Sequence, residues 1–326
     1  MDEKNKLITI IVPCRNEEKP IVKCLDSIIS NNYPKHRIEI LIVDGMSNDG
    51  TRNALERYIK QYSFIKLLHN ASKNVPTALN IGIKKARGKI IMRMDAHATC
   101  KDNYISSCVK YLNKTGADNV GGVIEHMGSG FMGKAIALAQ KCKFGLGGAK
   151  FRSAKKEQYV DTVFPGCWPR KVFDKYGYFD EKLIRNQDIE FNSRIRKGGG
   201  EVFLTPEIKL YYHCRSNLKD LWLQNFRNGF WNIKTTKIAP GSLSIRHFVP
   251  LLFVAALLTT WIIKPLWMAV VASYVLCNLF FSLELAIKNG FTYFFIIPLV
   301  FLVLHLSYGL GSLVGVFTLV KLNHKN

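Results

Sequence analysis

The chain has 326 residues, enough for one large domain or two ordinary ones, and a formal net charge of +22 at pH 7. Its eight cysteines are scattered and form no CxxC pair, which argues against a zinc site or a disulfide scaffold and fits a reducing compartment. Residues 1–246 carry 42 basic and 23 acidic groups without a basic-aromatic recognition module, so the excess favours anionic lipid and a phosphate-binding cleft over nucleic acid.

The first part of the chain alternates strands and helices. In order, the predicted elements cover residues 7–12, 18–30, 38–44, 53–62, 64–68, 76–86 and 90–95. This β-α-β-α-β-α-β order predicts an α/β fold, with a parallel sheet and helices on both faces. A helix at 102–115 and a strand at 119–125 follow. Residues 128–156, rich in Gly and Lys, then predict a mobile segment with one helix near 133–143, and order resumes over 160–173, 178–197 and 201–213.

The last part of the chain predicts a membrane region. Residues 248–263, 266–283 and 291–320 are runs without formal charge. A span needs about 20 apolar residues, so the first run is marginal and the other two are long enough. A buried helical hairpin of a soluble protein is the alternative. Residues 218–234 place Leu, Trp and Phe at helical spacing among Lys, Arg and Asn, which predicts an amphipathic helix at the membrane interface.

These segments predict a domain of residues 1–215, an interface segment of residues 216–246 and a transmembrane region of residues 247–326 with about three helices. The N-terminus, residues 1–6, is charged and lacks a long apolar stretch, so we expect no signal peptide. We therefore expect a multi-pass protein of the cell membrane with its basic domain in the cytoplasm.

Two acidic residues end predicted strands. Asp44 ends the apolar run of residues 38–44, and Asp95 ends that of residues 90–95. Ligands of open α/β sheets bind outside the carboxyl ends of the strands, and a carboxylate there can hold a divalent metal and its diphosphate. Asp44 could equally cap the turn at residues 47–51, whereas the pattern at Asp95 favours a ligand.

Three further residues are candidates for the chemistry. His97 lies two residues after Asp95, so in an extended chain both side chains point to one side and can share an ion or diphosphate. His213 follows a strand-like segment and is a candidate third metal ligand. Asp188 lies in the first turn of a predicted helix, where the macrodipole favours its ionised form. It either caps this helix or acts as a general base that takes a proton from an attacking hydroxyl.

Several segments together resemble a known family. They are residues 11–17 (IVPCRNE), 42–51 (IVDGMSNDGT), 80–88 (NIGIKKARG), 178–180 (YFD) and 186–188 (NQD). In this order and at these separations they resemble the motifs of the family 2 glycosyltransferases, inverting enzymes of the GT-A fold. The resemblance covers residues 7–215 and implies that fold, followed here by C-terminal transmembrane helices.

The resemblance also implies roles. The residues expected to bind the nucleotide-sugar are Pro13, Arg15, Glu17, Asp44, Asp95 and Arg227. Asp95 would be the first acid of the D-x-D motif that holds Mg²⁺ or Mn²⁺, and Asp188 would be the base. His97 and His213 are candidate further metal ligands from their positions in the sequence, not from the resemblance. The family's usual donors are nucleotide-diphosphate sugars.

The sequence departs from the family pattern in two places. His97 replaces the second acid of D-x-D, and this Asp-Ala-His-Ala form resembles the succinoglycan-type exopolysaccharide transferases, which also carry C-terminal membrane helices. Residues 224–228 (QNFRN) only partly resemble the Gln-x-x-Arg-Trp signature of processive synthases, because Asn228 stands in place of Trp. This favours transfer of a single sugar.

The expected reaction is inverting transfer of that sugar to a lipid-linked saccharide in polysaccharide biosynthesis, since a membrane-held enzyme gains effective concentration toward such an acceptor. Membrane lipids and other polysaccharide-assembly proteins are the expected partners. Two alternatives stay open. One is transfer to polyprenyl phosphate, which needs no base, and the other is an inactive sugar-binding scaffold subunit of a membrane polysaccharide complex.

Overall fold

The computed structural model describes residues 6–323, with side chains described through residue 320. Most of the predicted charged N-terminus, residues 1–5, lies outside this range. The chain divides into two compact units. The first contains the residues up to Glu125 and Lys150–Tyr212, and the second contains His126–Ala149 and the residues from His213 onward. Residues 126–149, predicted as part of the N-terminal domain, thus group with the C-terminal helices.

The elements are as follows. The strands are β1 (Ile8–Cys14), β2 (Ile38–Asp44), β3 (Ile65–His69), β4 (Ile90–Arg93), β5 (Ala98–Cys100), β6 (Asn119–Met127), β7 (Gln158–Tyr159), β8 (Cys167–Pro169) and β9 (Val202–His213). The helices are α1 (Glu18–Ile29), α2 (Thr51–Gln61), α3 (Val75–Lys85), α4 (Tyr104–Thr115), α5 (Gly130–Lys141), α6 (Lys143–Leu146), α7 (Lys171–Tyr176), α8 (Gln187–Lys197), α9 (Leu218–Ile238), α10 (Val249–Thr260), α11 (Lys264–Asn289) and α12 (Ile297–Asn323).

The sheet of the first unit is mixed. β1 pairs in parallel with β2 and β4, and β2 pairs in parallel with β3, which confirms the predicted alternation. β8 then runs antiparallel to β4 and to β6, and β5 and β7 run antiparallel to β9. The order of strands across the sheet is β3-β2-β1-β4-β8-β6-β9-β5, and β7 also pairs with β9. The prediction of a parallel sheet therefore holds for β1–β4 only.

Apolar side chains cover both faces of this sheet. β1 and β2 are buried along their whole length, as expected for central strands covered on both sides. Alternate residues serve opposite faces. One face packs against α1, α2 and α4, and the other packs against α3, α7 and α8. The packing of helices on both faces holds in place the strand ends that carry the candidate site residues.

The second unit is built from apolar helices. α11 and α12 are long and apolar enough to cross a membrane by length and composition, whereas α10 is shorter. The predicted three spans are thus two long helices and one short one within residues 6–323. The core of the unit packs α5 and α9 against α12, and its buried residues are Ala135, Ile136, Ala139, Leu221, Ile297, Val300, Phe301 and Leu304. The segment predicted to be mobile therefore forms part of this core.

The helix predicted to lie at the membrane interface, α9, packs closely against α12. A Cβ on Gly229 would lie 1.9 Å from the Tyr308 carbonyl oxygen, and one on Gly311 would lie 2.0 Å from the Phe226 carbonyl oxygen. Such backbone approach is possible only with small residues, as at helix–helix contacts in membranes. One face of α9 is therefore covered by protein.

Candidate active site

Two loops meet at the carboxyl edge of the parallel strands. The Asn16 N–H, after β1, donates to the Ser47 hydroxyl over 2.9 Å, and the Glu17 N–H donates to the Thr51 hydroxyl over 2.8 Å. Asn16 adopts a left-handed φ of 55° to make this turn. The predicted motifs of residues 11–17 and 42–51 thus form one continuous surface. Of the predicted nucleotide-binding residues in the first motif, Pro13 is buried within β1 and Arg15 is exposed.

Asp44, the last residue of β2, is fully buried. Its carboxylate accepts hydrogen bonds from the N–H and the hydroxyl of Ser47 and pairs with Arg52 Nε over 2.7 Å. The turn-capping interaction considered from the sequence is therefore present. A role of Asp44 toward the nucleotide stays a prediction.

A buried arginine joins the two other predicted carboxylates. Arg93, the last residue of β4, donates from Nε to Asp95 Oδ1 over 2.8 Å and from Nη1 to both carboxylate oxygens of Asp188 over 2.7 Å. The side chain of Arg93 is only 5% exposed, and those of Asp95 and Asp188 are 12% and 11% exposed. The Phe164 ring covers the guanidinium at 4.8 Å. Asp95 and Asp188, distant in sequence, thus face one point at the strand ends.

This cluster has an uneven charge balance, with two carboxylates for one guanidinium. Burial, and then the charge of Asp95, raise the pKa of Asp188 above its ordinary value, although Arg93 opposes the shift. Burial alone would lower the pKa of Arg93, but the charges of Asp188 and Asp95 raise it. The arginine therefore stays charged, and Asp188 is a stronger base than an exposed aspartate.

His97 lies in a separate set of contacts. The Ala98 N–H donates to the Asp95 carbonyl over 2.9 Å, so the chain turns after Asp95. The expectation of an extended chain there is wrong. His97 Nδ1 lies 3.0 Å from Glu17 Oε1, and its Nε2 lies 3.1 Å from the Tyr212 hydroxyl. Because the carboxylate can only accept, Nδ1 carries the proton toward Glu17.

The family is established by sequence comparison. The model of Glycosyl transferase family 2 matches residues 9–177, more than half of the chain. The chain belongs to glycosyltransferase family 2.

A relative from Methanococcus voltae, named dolichyl N-acetyl-alpha-D-glucosaminyl phosphate 3-beta-D-2,3-diacetamido-2,3-dideoxy-beta-D-glucuronosyltransferase, is 29% identical over 312 residues, 93% of this chain and 95% of that protein. The succinoglycan biosynthesis protein ExoA of Rhizobium meliloti is 28% identical over 264 residues, 80% of each chain. This family 2 glycosyltransferase therefore acts in polysaccharide or glycan biosynthesis.

Solved structures give the fold of the glycosyltransferase. The mannosyltransferase PcManGT from Pyrobaculum calidifontis, in complex with GDP-Man and Mn²⁺, matches with a TM-score of 0.59 and 18% identity over 93% of this chain and 87% of that one. TarS of S. aureus in complex with UDP-GlcNAc matches with a TM-score of 0.55 and 14% identity over 90% of each chain. At these identities the likeness shows the fold alone, and it confirms the predicted GT-A fold.

The family implies a divalent metal, and the residues present fit one held by few protein ligands. Within residues 6–323 no three His, Cys, Asp or Glu side chains converge to hold an ion. In the same part of the chain, Asp95 Oδ2 receives no hydrogen bond from another residue, while Oδ1 is taken by Arg93. Mg²⁺ is commonly bound by one or two carboxylates with substrate phosphates and water. Asp95 suits this, and His97 stays a predicted ligand.

The remaining predicted residues lie in the second unit. His213 is the exposed last residue of β9, and Arg227 is an exposed residue of α9. Their expected roles, as metal ligand and as diphosphate ligand, stay predictions.

Sequence reasoning missed Arg93, Arg52 and Tyr212. A signal for Arg93 was present, because an arginine interrupts an otherwise apolar strand two residues before Asp95, and alternate strand residues share a face. Tyr212 gave no such signal, since its contact with His97 depends on the pairing of β5 with β9.

Proposed function

We propose that this glycosyltransferase moves one sugar, with inversion, from a nucleotide-diphosphate sugar to a lipid-linked saccharide. The observation that carries the proposal is the cluster in which Arg93 bridges Asp95 and Asp188. In this cluster Asp188, suited to take a proton, lies beside Asp95, suited to hold a metal at the diphosphate of the donor. Pro13, Arg15, Glu17 and Asp44 would bind the nucleotide part on the adjoining surface.

The chemistry follows from these roles. Asp188 takes the proton of the acceptor hydroxyl, whose oxygen then forms a bond to the anomeric carbon. The bond from that carbon to the diphosphate oxygen breaks on the opposite face, and the electron pair leaves with the nucleoside diphosphate. A divalent metal on Asp95 would neutralise the charge of this leaving group. Attack opposite to the leaving group inverts the anomeric carbon.

A lipid-linked acceptor is supported by two observations. The apolar helices α11 and α12 could hold the enzyme at a membrane, where a lipid-linked substrate is concentrated. The M. voltae relative is named for transfer to a dolichyl phosphate sugar. On this basis the enzyme is a membrane protein with its catalytic unit in the cytoplasm, where other polysaccharide-assembly proteins could meet it.

A hydroxyl acceptor is favoured over polyprenyl phosphate. A phosphate oxygen is already anionic and needs no base, whereas a buried carboxylate with a raised pKa is suited to accept a proton. The same cluster disfavours an inactive scaffold, because a binding subunit gains nothing from two buried carboxylates that share one counter-charge.

Replacement of the base tests the proposal. Purified full-length enzyme is incubated with labelled nucleotide-sugars and lipid-linked saccharide, with and without EDTA. Asp188→Asn is expected to lower turnover about 10²–10⁴-fold while the nucleotide-sugar still stabilises the protein against heat. Asp174→Asn, at an exposed aspartate of α7, is the matched control and should keep full turnover. Near-normal turnover of Asp188→Asn, or no transfer from any donor by the unchanged enzyme, contradicts the proposal.

A further inference from the structure

Arg93 is a buried charged side chain of the candidate site, only 5% exposed, and it contacts two of the predicted carboxylates. Its guanidinium bonds to Asp95 through Nε and to Asp188 through Nη1. These two nitrogens diverge from one planar group, so a single side chain fixes the positions of both carboxylates at once. A lysine has no such fork.

The backbone and packing around Arg93 hold this guanidinium in place. The backbone N–H of Arg93 donates to the Gly166 carbonyl over 3.2 Å. This bond ties the end of β4 to the loop before β8. The Phe164 ring of the same loop lies 4.8 Å from the guanidinium carbon. The side chain is therefore held by strand, loop and ring, and it has little freedom to leave the two carboxylates.

The charge of Arg93 also brings the two carboxylates together. Two carboxylates at one buried point repel each other, and the guanidinium that pairs with both Asp95 and Asp188 offsets this repulsion. Loss of Arg93 would remove the hydrogen bonds that orient both carboxylate oxygens of Asp188.

We propose that Arg93 is a positioning residue for catalysis, which holds Asp188 aligned beside Asp95 by bridging the two carboxylates. This inference rests on the proposed function, since it presupposes that Asp188 is the base. It differs from a purely structural role in one respect: loss of Arg93 lowers turnover while the nucleotide-sugar still binds.

The test uses full-length Arg93→Ala and Arg93→Lys enzyme. For Arg93→Ala we expect kcat to fall about 100-fold, the scale of a lost general base, with little change in the donor KM. Methylguanidinium added to this variant should restore part of kcat, because it can fill the space left by the side chain, whereas sodium chloride at equal concentration should not. Arg93→Lys should be intermediate, since one ammonium replaces the planar fork.

Arg87→Ala is the matched control. Arg87 also pairs with a buried carboxylate, Glu39, over 2.7 Å, but Glu39 lies at the start of β2, at the opposite edge of the sheet. This variant should lose stability without loss of kcat. Full kcat in Arg93→Ala overturns the inference. So does a joint loss of kcat and donor binding that neither lysine nor methylguanidinium repairs. If the unchanged enzyme is inactive or Asp188→Asn is active, the proposed function itself has failed.

Discussion

Substitution of Gly229 by alanine tests the close contact between α9 and α12. The added methyl group would lie 1.9 Å from the Tyr308 carbonyl oxygen and 2.9 Å from the Ser312 nitrogen. Both neighbours are backbone atoms, which cannot rotate away. Ordinary van der Waals contact begins at 3.4 Å, so the two helices would have to separate by about 1.5 Å, the difference between 3.4 and 1.9 Å.

Two opposing free-energy terms decide the outcome. Alanine favours a helix over glycine by about 1 kcal/mol, while overpacking of a well-packed contact costs about 1–3 kcal/mol. Because the methyl group clashes with backbone atoms, we expect the upper end of that cost and a net loss of about 2 kcal/mol. For a unit of this size that corresponds to a fall in Tm of about 4–8 °C.

Thermal unfolding of the full-length enzyme in detergent measures this effect. Gly133→Ala is the control, because Gly133 lies in α5 of the same unit and a Cβ there meets its nearest atom at 3.4 Å. It should be as stable as the unchanged enzyme or slightly more stable. Equal melting temperatures for Gly229→Ala and Gly133→Ala would refute the close packing of α9 on α12.

Two further predictions concern pH and truncation. Because the pKa of Asp188 is raised by burial and by Asp95, kcat should fall with decreasing pH at a higher pH than for an ordinary aspartate. The folded state then binds the proton more tightly than the unfolded state, so the free energy of unfolding should decrease as pH rises from the ordinary to the raised pKa. In Asp188→Asn, the change of kcat and the change of Tm over this pH range should both disappear. A chain ending at Tyr212 keeps α5 but loses the residues of α9 and α12 that cover Ala135, Ile136 and Ala139, so it should aggregate in gel filtration, and a soluble monomer would contradict this.

The sequence predicted the first half of the sheet because β1 to β4 follow simple rules. β1, β2 and β3 are each followed directly by a helix, and β4 begins with the apolar residues 90–92, so pattern alone locates them. In the second half, pattern located β6, predicted at residues 119–125 and found at Asn119–Met127, but not the shortest strands. β5, β7 and β8 are two or three residues long, and pairing with distant strands, rather than local preference, holds them in the sheet.

Residues 128–156 show a second limit of pattern. Their Gly and Lys content predicted mobility, yet Ala135, Ile136 and Ala139 are buried against α12. The partner lies far along the chain, so no local signal marks the contact. For the site, the motifs located Asp95 and Asp188, but only the folded chain shows that Arg93 joins them.

The charges at the strand ends bear on how an anionic donor could bind. Asp95, Asp188 and Arg93 together carry one net negative charge, and Asp44 is already paired with Arg52. A nucleotide diphosphate approaching this edge meets carboxylates whose cations are engaged, and in a partly buried site such repulsion is weakly screened. A divalent cation on the open oxygen of Asp95 would reverse the local charge and favour the diphosphate.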